Sequence, residues 1–521
     1  MTKKSFVSGA IILMIAGFVV RILGFIYRIY LSNLIGAEGM GLFQLISPIY
    51  SLVILTLTSG VSIAVSKMVA GEMANRHYAS LRRITSCAFA LVVVSGLIVS
   101  LLILFKVDFI SNIILKDSRT YYSLLFLIPC IPVIAAASAL KGYFYGIQDV
   151  VPTALSQIVE QIVRIGLVML TASYFLNLGI EYACALATIG MAVGEISNLA
   201  VLAIIYKMKN KKVLPAGRKE GFFRKRVIFK ELLKISIPIS SNRFVTSIMA
   251  AIEFILIPRM LVAGGMDYHN SIELFGRLAG MAMPLLFFPS LVTSSLSTTL
   301  VPAISEAMSL KNYKSVNYRI SKSIQITFIL GFIFTAIFMA YPNEIGNAVY
   351  RKEDIGWILY LLSYTCVFMY LQQTLLGTLN GLGKQGVSLR NSIIGYIIRI
   401  GFVYFCIPVY GIKGYIWGII ISTAGVCILN MYTVTKTTGM SLDIGNWLVK
   451  PGLIGTLMVI IGKYIYSFFD IFVSGNTPTI IFTITGNLVI SIFLLIISGV
   501  LQMDEIKRLL GFGKHQNTMK F

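Results

Sequence analysis

The stretch KGYFYGIQDVVPTALSQIVEQIVRIG, Lys141 to Gly166, returns 235 residues later as LGTLNGLGKQGVSLRNSIIGYIIRIG, Leu376 to Gly401, without a gap. Gly142 and Gly146 fall on Gly377 and Gly381, and Arg164-Ile165-Gly166 falls on Arg399-Ile400-Gly401. The same offset carries Gly41 to Gly276 and Ser59 to Ser294. Matches spread this widely at one offset mark an internal duplication. The arginines lie inside apolar runs, where a cation is costly and is usually kept for a function or a partner.

Composition assigns the class. The chain has 521 residues, of which 57% are hydrophobic and only 12% charged, and its mean hydropathy is +0.84. A soluble domain of ordinary composition is far less oily. Scanning for apolar stretches of about 20 residues predicts fourteen spans. They run over 8–31, 43–68, 84–105, 121–145, 153–176, 182–206, 235–262, 274–304, 320–341, 355–379, 389–408, 413–435, 448–469 and 479–501. The expected fold is an all-α polytopic membrane protein with two six-helix lobes and two further C-terminal helices. Residues 1–206 form the N-terminal lobe, 207–234 a basic linker, 235–436 the C-terminal lobe, and 437–521 the last two spans with a tail. Both lobes start from the same side, so the duplication is parallel rather than inverted.

Lys3 and Lys4 precede an apolar run too long for a signal-peptide core, so the first span is expected to be retained. The six cysteines, Cys87, Cys130, Cys184, Cys366, Cys406 and Cys427, stand singly in apolar runs and read as small buried side chains rather than disulfides or metal ligands. Proline inside a helix removes a hydrogen bond and bends the backbone. Bends are therefore expected at Pro48, at Pro129 and Pro132, at Pro238 and Pro258, and at Pro284 and Pro289.

A net charge of +23 raises the question of nucleic acid, and its distribution argues against one. Loops on the side of the N-terminus carry 30 Lys/Arg against 8 Asp/Glu, and those on the other side carry 10 against 10. This bias predicts a multi-pass cell-membrane protein with both termini in the cytoplasm. Its densest part, Lys207 to Lys234, holds eleven basic residues, with Glu220 and Glu231 its acidic ones. Such a loop sets topology and touches anionic headgroups of membrane lipids; no nucleic-acid partner is expected, because the loop has neither a folded module nor aromatic platforms.

Helix ends excluded, seven charges fall inside the predicted spans: Arg21, Glu160, Arg164, Glu195, Arg243, Glu253 and Arg399. Arg21 sits in VRILGFIYR, Val20 to Arg28, about 20 Å into the hydrocarbon at 1.5 Å per residue. Arg21 and Arg243 each lie in the first span of a lobe with no carboxylate within four residues, and Arg399 has Ile394, Gly395 and Tyr396 where Arg164 has a carboxylate neighbour. These arginines are candidates for lining a central cavity. Glu160 and Arg164 are four residues apart and suit an ion pair equally well. Glu160, Glu195 and Glu253 are candidate counter-charges or ion-coupling sites, and Arg164 and Arg28 join the cavity candidates, although Arg28 can also snorkel to the interface. Arginine forks onto phosphate or carboxylate and stays charged when buried, so the expected cargo carries a fixed anion, most plausibly phosphate.

Three stretches make the chain resemble a known family: RILGFIYRIYL from Arg21, SPIYSLVILTLTSGVSIAVSKMVA from Ser47, and FGRLAGMAMPLLFFPSLVTSSLSTTLVPAISEA from Phe275. They resemble the stage V sporulation protein B family of spore-forming bacteria, which belongs with MurJ-type lipid II flippases and polysaccharide flippases in the MOP exporter superfamily. The resemblance implies a MATE-like fold of two lobes working by alternating access. It also implies an undecaprenyl-diphosphate-linked peptidoglycan precursor as cargo for spore cortex synthesis, and a lipid-tail groove formed by the last two spans. No cofactor is implied; coupling to membrane potential, H+ or Na+ is left open, as are contacts with cell-wall synthesis proteins. A forespore outer membrane location is compatible with it.

The carry-over of site residues is partial. Arg21 matches the arginine of the MurJ-type RVLGF motif, but that motif's second arginine falls at Tyr27, with Arg28 one place later and about 100° around the helix. The family's arginine in span 2 falls near Leu52 to Ile54 and is absent, and that of span 8 falls near Pro284, with Arg277 nearly two turns away. A phosphate clamp would have to be rebuilt from Arg243, Arg164 or Arg399. The alternative reading is an ion-coupled multidrug or other polysaccharide-lipid exporter of the same superfamily. A membrane enzyme is less expected: its acid or histidine constellation is missing, because His77, His269 and His515 all read as loop or tail residues.

Overall fold

The computed structural model describes residues 3–75, 77–213, 225–350, 353–473 and 475–501, and among them it is almost wholly helical with no strand. Eleven helices are long and apolar enough to cross a membrane, or thirteen when two bent pairs are counted as spans. The first of the eleven, Ile15–Ala74, is long enough for two crossings, so all fourteen predicted crossings are accounted for. The protein is a multi-pass membrane protein. By packing it divides into two compact units, Met1–Met281 with Arg399–Tyr415, and Ala282–Ile398 with Ile416–Phe521.

The first unit holds α1 (Lys3–Ala74), α2 (Tyr78–Phe105), α3 (Val107–Phe109), α4 (Tyr121–Leu127), α5 (Cys130–Gly146), α6 (Val151–Leu176), α7 (Ile180–Val213), α8 (Lys225–Ala263) and α9 (Tyr268–Phe275). α1 joins what the hydropathy pattern reads as two spans and a loop. Residues 32–42 are helical, and the chain turns at one point, Gly36, with φ 68° and ψ −173°. That conformation is open essentially to glycine alone. Pro48 sits inside α1, and Pro238 and Pro258 inside α8, without ending either helix. The basic linker is also shorter than predicted, because α7 extends to Val213 and α8 starts at Lys225. Residues 214–224, like the tail 502–521, lie outside the described residues.

α2 and α5 pack on the second half of α1 through Val61, Val65, Val69, Ile84, Ala88 and Ala135. Small side chains let membrane helices approach closely, where dispersion replaces the missing hydrophobic drive. A Cβ added at Gly142 would stand 2.7 Å from the Ser62 carbonyl oxygen, and one at Gly146 would stand 2.6 Å from Val69 Cβ.

The second unit holds α10 (Met283–Phe287), α11 (Ser290–Ser309), α12 (Tyr313–Ala340), α13 (Pro342–Val349), α14 (Gly356–Ser363), α15 (Cys366–Gly381), most of α16 (Gln385–Tyr410) and of α17 (Ile412–Thr438), α18 (Lys450–Phe472) and α19 (Asn476–Ile497). Here the duplication reappears as geometry. A Cβ at Gly377 would meet the Ser297 carbonyl at 2.5 Å, and one at Gly381 would meet Ile304 Cβ at 2.9 Å. Ser297 and Ile304 are the 235-offset counterparts of Ser62 and Val69, so both repeats use the same close crossing.

The repeats also break a helix at the same place by different means. In the first, α4 and α5 part at Ile128-Pro129. In the second, α14 and α15 bend by 54° between Ser363 and Cys366, with Tyr364 where the first repeat has proline. A hydroxyl meets the freed carbonyl in both repeats, Ser100 Oγ donating to the Ile128 carbonyl at 2.8 Å and its counterpart Thr335 Oγ1 to the Ser363 carbonyl at 3.2 Å, and in the second Thr365 Oγ1 also donates to the Leu362 carbonyl at 2.6 Å. Carbonyls freed from a ladder inside a membrane need such donors. α18 rests on α12 with Gly455 against the Phe332 carbonyl, while Tyr341 donates to the Gly462 carbonyl at 2.9 Å and accepts from Asn487 of α19 at 3.2 Å.

Candidate substrate-binding site

All five candidate arginines belong to the first unit, and the structure treats them differently. Arg164 is 14% exposed and donates to Glu160, itself 10% exposed, at 2.6 Å along one face of α6. Asn198 of α7 donates to the other Glu160 oxygen at 2.7 Å and to Glu195 at 3.3 Å. The site formed by Glu160, Arg164 and Glu195 is thus a shared ionic cluster at the α6–α7 contact, knit by an amide that the sequence reading passed over. Its signal was available: Asn198 lies one turn after Glu195.

Arg399 was read as having no partner nearby on its own helix. Its partner comes from elsewhere in the chain: Nε lies 3.7 Å from Glu253 of α8, whose carboxylate is 2% exposed and also accepts from Tyr415 at 2.9 Å. Sequence spacing shows only partners on the same helix, and this one arrives through packing. Arg28 does not simply snorkel. Its guanidinium donates to the Ala279 carbonyl at 3.3 Å, beside Gln44, which donates to the same oxygen at 3.0 Å. Ala279 sits in a π-helical turn, Gly276–Ala282. Such turns displace carbonyls from the regular ladder and often mark functional places.

Arg21 and Arg243 differ from these three. Both are exposed, each near the middle of an apolar helical span. Arg243 follows Ser241 and Asn242, which are also exposed, and has no ion pair among the described residues. Tyr27, where the MurJ-type motif has its second arginine, is buried at 7% exposure. α1 and α8 lie against one another, since a Cβ on Gly60 would stand 2.3 Å from the Ser236 carbonyl.

The two repeats meet at a reciprocal crossing within this unit. A Cβ on Gly41 would lie 2.2 Å from the Ile272 carbonyl oxygen, and one on Gly276 would lie 1.9 Å from the Ala37 carbonyl oxygen. Gly276 and Ile272 are the offset counterparts of Gly41 and Ala37, so the contact is its own image, as at a twofold axis. Gln44 and Ala279 obey the same offset and are bonded across it.

Known proteins carry the same architecture. Stage V sporulation protein B of Bacillus subtilis (strain 168) is 30% identical over 514 residues, which is 98% of both chains. The chain belongs to the stage V sporulation protein B family. The family profile described as polysaccharide biosynthesis protein covers residues 6–308, and the MatE profile covers 278–405. Lipid II flippase MurJ of Bacillus subtilis (strain 168) is 25% identical over 424 residues, 75% of each chain. A solved structure of lipid II flippase MurJ in an inward closed conformation aligns with TM-score 0.69 and 16% identity over 96% of this chain and 99% of that one. The chain thus shares its fold with lipid II flippase MurJ and with a solved multidrug resistance MATE family transporter of the MOP superfamily, which aligns with TM-score 0.62 and 15% identity over 82% of this chain and 100% of that one.

Proposed function

We propose that the protein is an alternating-access flippase for an undecaprenyl-diphosphate-linked peptidoglycan precursor, and that it catalyses no chemistry on its cargo. One observation carries the anionic headgroup: Arg21 and Arg243 are exposed at mid-span positions of α1 and α8. A guanidinium facing acyl chains at that depth costs roughly 2.5 to 3.5 kcal/mol or more, so water or an anion is the physically reasonable neighbour. Their exposure inside apolar helices assigns Arg21 and Arg243 as the cargo contacts, and Arg164, Arg399 and Arg28, held by Glu160, Glu253 and the Ala279 carbonyl, as positioning residues. Both termini would lie in the cytoplasm. The prenyl chain would stay in lipid while the headgroup crosses. An inside-negative potential favours outward movement of an anion by about 2.3 kcal/mol per charge per 100 mV.

The test uses the full chain in proteoliposomes with a fluorescent undecaprenyl-diphosphate sugar, measuring its arrival in the opposite leaflet. Arg243→Gln and Arg21→Gln are each expected to slow translocation at least about tenfold, the loss of one charge-assisted contact to phosphate. Arg243→Lys should retain an intermediate rate. Wild-type translocation by both glutamine variants would overturn the cargo assignment.

A further inference from the structure

A second polar assembly stands at the end of the first unit opposite the basic linker, just beyond the Gly41–Gly276 crossing. Asp117 caps a short turn and accepts from Arg119 at 2.8 and 3.0 Å and from the Tyr268 hydroxyl at 3.0 Å. Arg119 also holds Glu38, two residues after the Gly36 break. His269, read from sequence as a loop residue, lies in the first turn of α9, where Asp267 accepts its backbone N–H at 3.0 Å. Its Nε2 is 3.1 Å from Glu38 and its Nδ1 is 3.9 Å from Glu273. Glu273 is in turn 3.4 Å from Arg277, and Arg259 of α8 donates to the Ile113 carbonyl at 3.0 Å.

The offset of 235 that relates Gly41 to Gly276 also relates Glu38 to Glu273. One imidazole therefore sits between the two copies of the same glutamate, one from each repeat. Each glutamate already has an arginine, Arg119 or Arg277. The charged groups against the His269 imidazole are Glu38 from α1 and Glu273 from α9; Arg119 pairs with Glu38 and with Asp117 of the capped turn, Arg277 pairs with Glu273, and Arg259 of α8 is turned to the Ile113 carbonyl. Three carboxylates, Glu38, Asp117 and Glu273, are thus linked to two guanidiniums, Arg119 and Arg277, and one proton on the imidazole balances them.

We propose that His269 is a proton-operated latch joining the repeats at this outward end. An imidazolium donates from Nε2 to Glu38 and attracts Glu273 electrostatically across 3.9 Å, which ties the two glutamates together. A neutral imidazole donates from one nitrogen and turns a lone pair toward the other carboxylate. Histidine is the residue type that makes this change near neutrality. The closed outward end is therefore favoured at acid external pH and released as pH rises. The latch rests on the alternating-access part of the proposed function and not on the identity of the cargo.

The experiment places genetically encoded nitroxides at the exposed positions Asp108 and Ala263, one in each repeat, in full-length protein in proteoliposomes without cargo. Distance distributions are recorded between pH 5.5 and 8.0. The ratio of long to short distances should rise about 2- to 10-fold across that range, as expected for losing two exposed ion pairs. His269→Gln should be pH-independent with the long distances favoured, and His269→Arg pH-independent with the short ones favoured. A wild-type pH response in His269→Gln, or indistinguishable distributions in the two variants, would overturn the latch. Because no cargo is present, an intact response alongside failed lipid translocation would count against the cargo and leave the latch standing.

Discussion

The repeat crossing makes a quantitative demand at Gly276. A methyl group there would stand 1.9 Å from the Ala37 carbonyl oxygen, whereas real Cβ contacts do not fall below 3.0 Å. Gly276→Ala must therefore part the two backbones by at least about 1.1 Å. The atoms in the way are backbone, which cannot rotate aside, so the cost is that of overpacking a core, roughly 1–3 kcal/mol. If the crossing opens locally, its open population rises about 5- to 150-fold. Cys184 of α7 reports on displacement of α1 beside the crossing, because its Sγ is buried and lies 2.9 Å from the carbonyl of Gly39, two residues before Gly41. Maleimide labelling read by peptide mass spectrometry should accelerate at Cys184 by that factor in Gly276→Ala. Buried Cys366 and Cys427 of the second unit should keep their wild-type rates. Gly17→Ala, whose added methyl meets nothing within 4 Å, is the matched control. Labelling of Cys184 in Gly276→Ala within twofold of wild type would refute the reasoning that this glycine exists for backbone approach.

Two further outcomes follow from single contacts. Glu160→Gln leaves Arg164 buried without its counter-charge and should destabilise the fold by about 3–5 kcal/mol, seen as a lower melting temperature in detergent. Adding Arg164→Met should recover much of that loss, and a double variant no more stable than the single would contradict direct pairing of Arg164 with Glu160. Gly36→Ala places a side chain at φ 68° and ψ −173° and should cost roughly 1–3 kcal/mol, with the loss read in the same thermal melt; an unchanged melting temperature would mean that the break relaxes freely.

Much of the fold was legible in the chain because membrane burial writes itself into composition. Twenty-residue apolar runs have no other stable home, and the 235-residue offset survives in glycines whose neighbours are backbone atoms. The site was less legible. Glu160 and Arg164 share a helix, so spacing alone pairs them. Arg399 and Glu253 lie 146 residues apart, and no periodicity links them. His269 was passed over because a histidine near a span end reads as solvated. The offset between Glu38 and Glu273 was nevertheless present in the sequence and would have flagged the place.

By itself, the sequence determined that this is a duplicated helical membrane protein of the stage V sporulation protein B family, with cations placed where lipid forbids them unless they are accommodated. Tertiary structure decided which cations are spoken for. Arg164, Arg399 and Arg28 are engaged by Glu160, Glu253 and the Ala279 carbonyl. The physical reason is range: burial and helix periodicity act over a few residues and leave a local record, whereas an ion pair between helices depends on how they pack, which no local pattern encodes.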